Sequence, residues 1–270
     1  MRINSNNNST IAQSALAQAN AAGSKSLQRL ATGMRINRAS DDVAGLSSSE
    51  SLRAMVRDNQ MSQRNTGDGI SMLQIADTGS QQITDSLQRM RELAIQSANG
   101  TLKDSDRGAI QAEYQQLQEQ ISGIAESTTY NGQPLLTGDA AAASFQVSGE
   151  AGSSSTISYQ NSTDLSGNLG LGAVHTASSA QSALDGIDKA MQSVLSMRSG
   201  IGSTMNRLDS TLSNLGNALP NLTDAESRIR DTDFASETMQ LAKSQILGKS
   251  SMAMLGQANQ LPSGIMGLLG

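Results

Sequence analysis

The sequence predicts a mainly α fold, a long antiparallel helical coiled-coil bundle shaped as a rod, with a small β-hairpin at its tip. Three observations carry this prediction. Apolar residues recur at alternating steps of three and four along three separate stretches, the composition suits slender helices, and the chain turns rich in Gly, Ser and Ala between about residues 130 and 179. In 270 residues, aromatics make up 2% and Trp is absent. The apolar share therefore leans on Ala, Leu, Ile and Met, which suit helix-to-helix packing better than a thick layered core.

The first forty residues carry a weak stripe at Ile11, Ala15, Leu16 and Ala19, then a stronger one at Leu27, Leu30 and Met34. Nothing ionisable lies between Arg2 and Lys25, and no charged side chain follows Lys249, although the formal net charge is -5. Exposed ends gain nothing from neutrality, so two neutral ends are expected to be buried together. Ser40 reads as the N-cap of the next helix, with Asp41 and Asp42 in its first turn complementing the helix dipole. A seam follows at Leu73, Ala76, Ser80, Ile83, Leu87, Met90 and Ala94. Asn99-Gly100 reads as a left-handed stop, and Ser105 or Asp106 as the cap of a helix whose seam is Ile110, Tyr114, Leu117, Ile121 and Ile124.

Alternating residues at Ser144 to Val147 and at Thr156 to Tyr159 predict two strands, joined through the turn residues Gly149 to Gly152. The longest seam runs through Leu184, Ile187, Met191, Val194, Ile201, Met205, Leu208, Leu212, Leu215, Leu219 and Leu222, with Arg198 as its polar member. Pro220, which lacks an N–H, is expected to kink or stop that helix. The last forty residues return to a thin stripe at Met239, Ala242 and Ile246, then Met254, Leu255 and Leu261. Such stripes cannot hold helices alone and need each other or neighbouring molecules. Helices sharing one kind of seam bury it most simply against one another, so the first and last thirds should pack antiparallel with the termini meeting at one end.

Little points to catalysis, and no cofactor or metal site is expected. His175, the single histidine, sits in the Gly-rich stretch with no flanking acid, and Cys is absent. Gly167, Gly170 and Gly172 lack the strand and spacing of a phosphate loop and read as a flexible connection. The 13 Met fall mostly on the seams as core filling. The triplets starting at Asn8, Asn161 and Asn221 match the N-glycosylation pattern by chance. No basic cluster provides a nucleic-acid surface, no segment spans a bilayer, and the start lacks a cleaved secretion signal. Arg89, Arg91 and Glu92 read either as a solvated helix face or as a docking surface.

Several stretches resemble bacterial flagellin. They are SLQRLATGMRIN from Ser26 to Asn37, SDDVAGL from Ser40 to Leu46, QRMRELAIQSANGT from Gln88 to Thr101, YNGQPLL from Tyr130 to Leu136, IRDTDF from Ile229 to Phe234, and ANQLP from Ala258 to Pro262. The resemblance covers roughly residues 1–136 and 180–270. It implies a secreted subunit of the extracellular flagellar filament, exported by the flagellar type III apparatus and polymerising into a helical homopolymer used for motility. It also implies partners: the flagellar cap, hook-junction proteins, an export chaperone and the innate immune receptor Toll-like receptor 5.

Residues 1–40 with 235–270 would form a terminal filament-core domain, disordered in the monomer and paired as helices in the polymer. Residues 41–234 would form the rod, without outer inserted domains. The polymerisation core implied by these ends comprises Ile11, Leu16, Leu27, Leu30, Met34, Ile246, Met254, Leu255 and Leu261. Carried over residue by residue, the receptor or subunit interface comprises Gln88, Arg89 and Leu93 with Glu113. The chain ends in Gly267-Leu-Leu-Gly270 rather than a basic residue frequent in the family. A hook–filament junction protein is the alternative within the same structural class. A secreted coiled-coil binding module is the alternative in another class, and an enzyme the third.

Overall fold

A computed structural model of the chain describes residues 6–138, 143–149, 155–159, 164–165, 169–260 and the backbone of 261–269. Among the described residues there are five helices and four short strands, the strands all falling between the third and fourth helices. In chain order they are α1 (Asn7–Thr32), α2 (Val43–Ala98), α3 (Asp104–Ser127), β1 (Thr129–Tyr130), β2 (Gln133–Pro134), β3 (Ala143–Gln146), β4 (Thr156–Tyr159), α4 (Ala177–Arg230) and α5 (Phe234–Leu269). By contact the chain divides into two units, one of Met1–Val56 with Asn221–Gly270 and one of Arg57–Pro220.

In the second unit the three expected seams meet in one core. Leu73, Ala76, Ser80, Ile83, Leu87, Met90 and Ala94 of α2 are fully buried against Ile110, Tyr114 and Ile121 of α3 and Ile187, Val194, Ile201 and Leu208 of α4. Each large side chain buried this way contributes on the order of 1.5–3 kcal/mol. The one hydroxyl in the α2 seam is neutralised locally, because Ser80 Oγ donates to the Ala76 carbonyl at 2.6 Å. Pairing is antiparallel. Arg198 of α4 reaches Asp77 of α2 at 2.8 Å while Arg91 of α2 reaches Asp188 of α4 at 3.0 Å, so rising numbers on one helix meet falling numbers on the other. Arg198, the polar member of the long seam, thus sits at the core's margin with its charge answered.

Helix ends depart from the sequence reading in instructive ways. Ser40 does not cap α2. Asp42 does, its Oδ1 accepting from Gly45 N at 2.9 Å, while Asp41 accepts from the backbone of Asn37 and Arg38 and pairs with Lys25 at 2.9 Å. The Lys25 hydrogen bond, followed by those from the backbone, holds the Asp41 carboxyl below the ordinary carboxylate range. At the end of α2, Gly100 is not left-handed. The orphan carbonyls of Ser97 and Asn99 are instead satisfied by the buried Arg107 guanidinium, at 2.9 and 2.8 Å. The cap of α3 is Lys103 rather than Ser105 or Asp106, with Asp106 reaching back to the Lys103 N–H at 3.4 Å. Pro220 neither stops nor ends α4, which continues to Arg230, because one missing N–H is outweighed by the bonds propagated on both sides.

A tight turn at Asn131-Gly132, with φ of 52° and 79°, joins β1 to β2. The expected hairpin is present as β3 and β4, antiparallel with Phe145 opposite Ile157. Phe145 lies so close to Gly69 of α2 that a Cβ there would approach its ring to 2.9 Å. Gly149 belongs to the expected connecting turn, and the rest of that turn, like Gly167, lies outside the described residues.

The Gly-rich segment before α4 is tied down rather than loose. Tyr114 Oη and Gln118 Nε2 donate to the carbonyls of Leu171 and Gly172, Val174 N donates to Gln111 Oε1 at 2.6 Å, and Ser97 Oγ donates to the Val174 carbonyl. Three α3 residues one helical turn apart thus hold one strap. Burial pushes the Tyr114 phenol up to about 12. The neutral form is the one that folds, so the stability Tyr114 contributes is intact below pH 10 and lost as pH rises towards 12. In alkaline denaturation followed by circular dichroism, Tyr114→Phe is expected to start less stable by about 1 kcal/mol and to lose less across that window than the unsubstituted chain.

Candidate assembly interface

Two helices far apart in sequence pair in the first unit. α1 starts from Asn6, whose Oδ1 accepts from Ser9 N at 3.2 Å and whose Nδ2 donates to the Ala258 carbonyl of α5 at 2.7 Å. Further along, Ser9 Oγ donates to Asn259 Oδ1 at 3.1 Å, and Arg29 meets Glu237 at 3.4 Å. Low numbers meet high numbers, so the pair is antiparallel.

The seam between them is built from small residues at sevenfold spacing. On α1, Ala12, Ala19 and Ser26 are buried, with Leu16, Gly23 and Leu30 half-buried between them. On α5, Glu237, Ser244 and Ala258 are buried with Ser251 on the same line, and Leu241, Gly248 and Leu255 fill the intervening steps. Each helix therefore presents a Leu–Gly–Leu row beside a row of mostly small residues. Approach is close enough that a Cβ on Gly23 would come within 3.1 Å of Ser244 Oγ. Such contact replaces burial of bulky side chains with dense backbone-to-backbone packing.

A short joint closes the pair. Gly33 adopts φ +70°, which ends α1 without the strain a side chain would cause. Met34 then bridges to Asp231, Arg35 N donates to the Arg230 carbonyl at 2.7 Å, and Thr232 N donates to that of Gly33 at 3.0 Å. Asp233 caps α5 by accepting from Ala235 N at 2.9 Å. Arg230 also reaches Glu50 at 2.7 Å, and Arg53 reaches Glu226 at 3.5 Å.

The residues expected to form a polymerisation core separate into two sets. Leu16, Leu30 and Leu255 face the α1–α5 seam, and Met34 lies half-buried at the joint. Ile11, Leu27, Ile246 and Met254 turn outward, with exposures of 59%, 55%, 67% and 64%. Met239 is outward as well, so the expected α5 stripe of Met239, Ala242 and Ile246 points away from α1. Ile11 and Met254 share a groove of about 300 Å³ with Ala12, Ala15 and Ser251. The Leu261 side chain lies outside the described residues. Core filling accounts for only part of the methionines: Met72, Met90, Met191, Met197 and Met205 serve the core, but Met55, Met61, Met239, Met252 and Met254 are exposed.

The second candidate surface also divides. Gln88 is exposed, and Arg89 joins Glu113 across α2 and α3 at 2.8 Å, the hydrogen bond raising the guanidinium above its ordinary value. Leu93, by contrast, is 2% exposed and belongs to the helical core, because its turn of α2 faces α3 and α4. It offers no surface contact here. His175 is exposed, and among the described residues no helix is long and apolar enough to cross a membrane.

This pattern, terminal helices paired through small residues and carrying large apolar side chains outward, accords with two matches to known sequence families. Residues 3–141 match the bacterial flagellin N-terminal helical region, and residues 184–269 match the bacterial flagellin C-terminal helical region. The chain belongs to the bacterial flagellin family. It is 41% identical to a flagellin of Halalkalibacterium halodurans over 92% of both chains, and 36% identical to a flagellar filament 33 kDa core protein of Treponema phagedenis over the whole of both. Among solved structures, Bacillus cereus flagellin superposes with a TM-score of 0.50 at 32% identity, covering 56% of this chain and 88% of that one. The family is one of structural rather than catalytic proteins.

Because the chain lacks Cys, Ser9→Cys with Asn259→Cys reports the pairing directly. In chain assembled on filament fragments, mild oxidation is expected to close a disulfide within one chain, read as a gel-mobility shift after dissociation. Adding Gly23→Leu overpacks the seam by about 1–3 kcal/mol and should lower the yield several-fold.

Proposed function

We propose that the chain is a structural subunit that polymerises into the bacterial flagellar filament outside the cell, and that the α1–α5 pair is its assembly surface. One observation carries the choice of surface. Ile11, Leu27, Met239, Ile246 and Met254 stand outward on a pair whose inner seam is already filled by other residues. An apolar face of this kind loses free energy in water and gains it against copies of itself. The same reasoning makes residues 1–40 and 235–270 a poor independent unit in a free subunit. With so thin a seam, ordering them needs neighbours, and that suits export as an unfolded chain through the flagellar type III apparatus.

The filament cap, hook-junction proteins and an export chaperone are the partners this role requires. A hook–filament junction protein would share the helical ends, and a coiled-coil binding module would not polymerise. Seeded elongation separates these outcomes. Monomer added to filament fragments should extend them in electron micrographs, whereas chain lacking residues 1–25 and 250–270 should not. Ile246→Asp should also abolish extension while leaving the α1–α5 seam untouched; full extension by either altered chain would overturn the assignment.

The exposed Arg89–Glu113 pair with Gln88 supports a finer proposal, recognition of the monomer by Toll-like receptor 5. In a reporter-cell assay Arg89→Ala is expected to weaken the response at least tenfold, as loss of a charge-assisted hydrogen bond worth about 1.5–3 kcal/mol dictates. An unchanged response would remove the site. Leu93→Ala tests only core packing.

A further inference from the structure

Methionines are placed unevenly in this molecule. Met90 is fully buried, Met197 nearly so, and Met72, Met191 and Met205 pack against the core of the second unit. Met239 and Met254 are the opposite case: both are about two-thirds exposed, and with Ile246 they are the most exposed large apolar side chains of α5, ahead of Phe234, Met252 and Leu247. Two of the three most exposed of them are therefore thioethers open to solvent. Of all apolar side chains, the thioether is the one that mild two-electron oxidants convert to a polar group.

We infer that Met239 and Met254 form an oxidation site that controls assembly, with a peroxide as the reactant. The inference rests on the assembly surface proposed above. The thioether sulfur attacks one peroxide oxygen, an S–O bond forms as the O–O bond breaks, and the proton on the transferred oxygen passes to the departing hydroxide, leaving sulfoxide and water. Sulfur loses two electrons and the peroxide gains them, so each sulfoxide consumes one hydrogen peroxide. The product is a strong, well-hydrated acceptor where an apolar group stood before, on a face whose exposed Lys243 and Gln257 are hydrated as well. A subunit carrying it must strip water from that oxygen and forgo apolar contact to join a neighbour, which disfavours addition. Once added, a subunit has these sulfurs covered, so the site is open before assembly and closed after it. Oxidant would then stop growth at the stage of the free subunit and spare filament already made.

The test uses the full chain. Monomer is treated with hydrogen peroxide until mass spectrometry finds sulfoxide at both positions, then added to filament fragments. Elongation is expected to fall about tenfold or more, and methionine sulfoxide reductase should restore it. The double variant Met239→Leu, Met254→Leu keeps size and apolarity, so it should elongate normally and resist peroxide. Met55→Leu and Met61→Leu together, both on α2, should leave the inhibition in place. In intact filaments Met239 and Met254 should oxidise more slowly than in monomer. The inference is overturned if doubly oxidised chain elongates at the untreated rate, if the leucine pair is inhibited as strongly as the original, or if filament and monomer oxidise equally fast there. Failure of untreated chain to elongate would instead overturn the assembly surface itself.

Discussion

A long helix with a seam stepping by threes and fours must bury that seam against another of the same kind, and this single requirement organises both contact units. It is met in two different currencies of packing. In the unit of Arg57–Pro220 the seams carry Leu, Ile, Val and Met, and three helices close a core that excludes water by bulk. In the other unit the seam carries mostly Ala, Ser and Gly, with Leu at intervals, and exclusion comes from close approach. The first solution is stable within one chain, since each buried large side chain contributes roughly 1.5–3 kcal/mol. The second leaves little area per residue to offset the entropy of ordering about 1–2 kcal/mol per backbone residue, so it depends on what covers its outer side.

Polar groups show the same contrast. Where bulk does the packing, hydrogen bonds finish it: Arg107 satisfies the α2 carbonyls, and Gln111, Tyr114 and Gln118 hold the strap before α4. A buried guanidinium at the C-terminal end of a helix answers both the orphan carbonyls and the negative end of the macrodipole. In the α1–α5 pair the only ion pair between the two helices is Arg29 with Glu237, near the joint, and the rest of that seam is neutral among the described residues. A neutral seam with a charged joint allows the pair to be placed in register near residues 29 and 237 without a desolvation cost along its length.

Much of the architecture was legible in the sequence, because periodicity reports large side chains well. Every member of the Leu73 to Ala94 seam is buried, and the hairpin falls where alternation placed it. What escaped was carried by residues without a hydropathy signal. The Gly23–Ser244 approach lay in sevenfold recurrences of Ala, Ser and Gly, which are visible once small residues are counted as a class but invisible to an apolar pattern. Arg107 stands in no sequence pattern that marks a buried cation, and Asp42 lost the capping role to Ser40 because the order of two eligible residues does not say which side chain meets a free N–H. Leu93 was misplaced for a related reason: a motif carried over as a block says nothing about which of its residues face inward.

On the proposed reading, in which the α1–α5 pair is the assembly surface and the chain is exported unfolded, the apolar residues left outside serve both demands. A terminal pair closed by large side chains would fold early and resist threading through a channel. One closed by small side chains, with its large ones reserved for neighbours, holds little structure until those neighbours arrive. Most of its hydrophobic free energy is then realised between molecules rather than within one. Charge-free ends follow from the same division. A Lys or Glu among Ile11, Ile246 and Met254 would help the free chain stay dissolved but would have to be buried unpaired on assembly, at a cost larger than the solubility gained. The neutrality of the termini is then, on the proposed assembly surface, a constraint imposed by the assembled state on a sequence that must also exist alone.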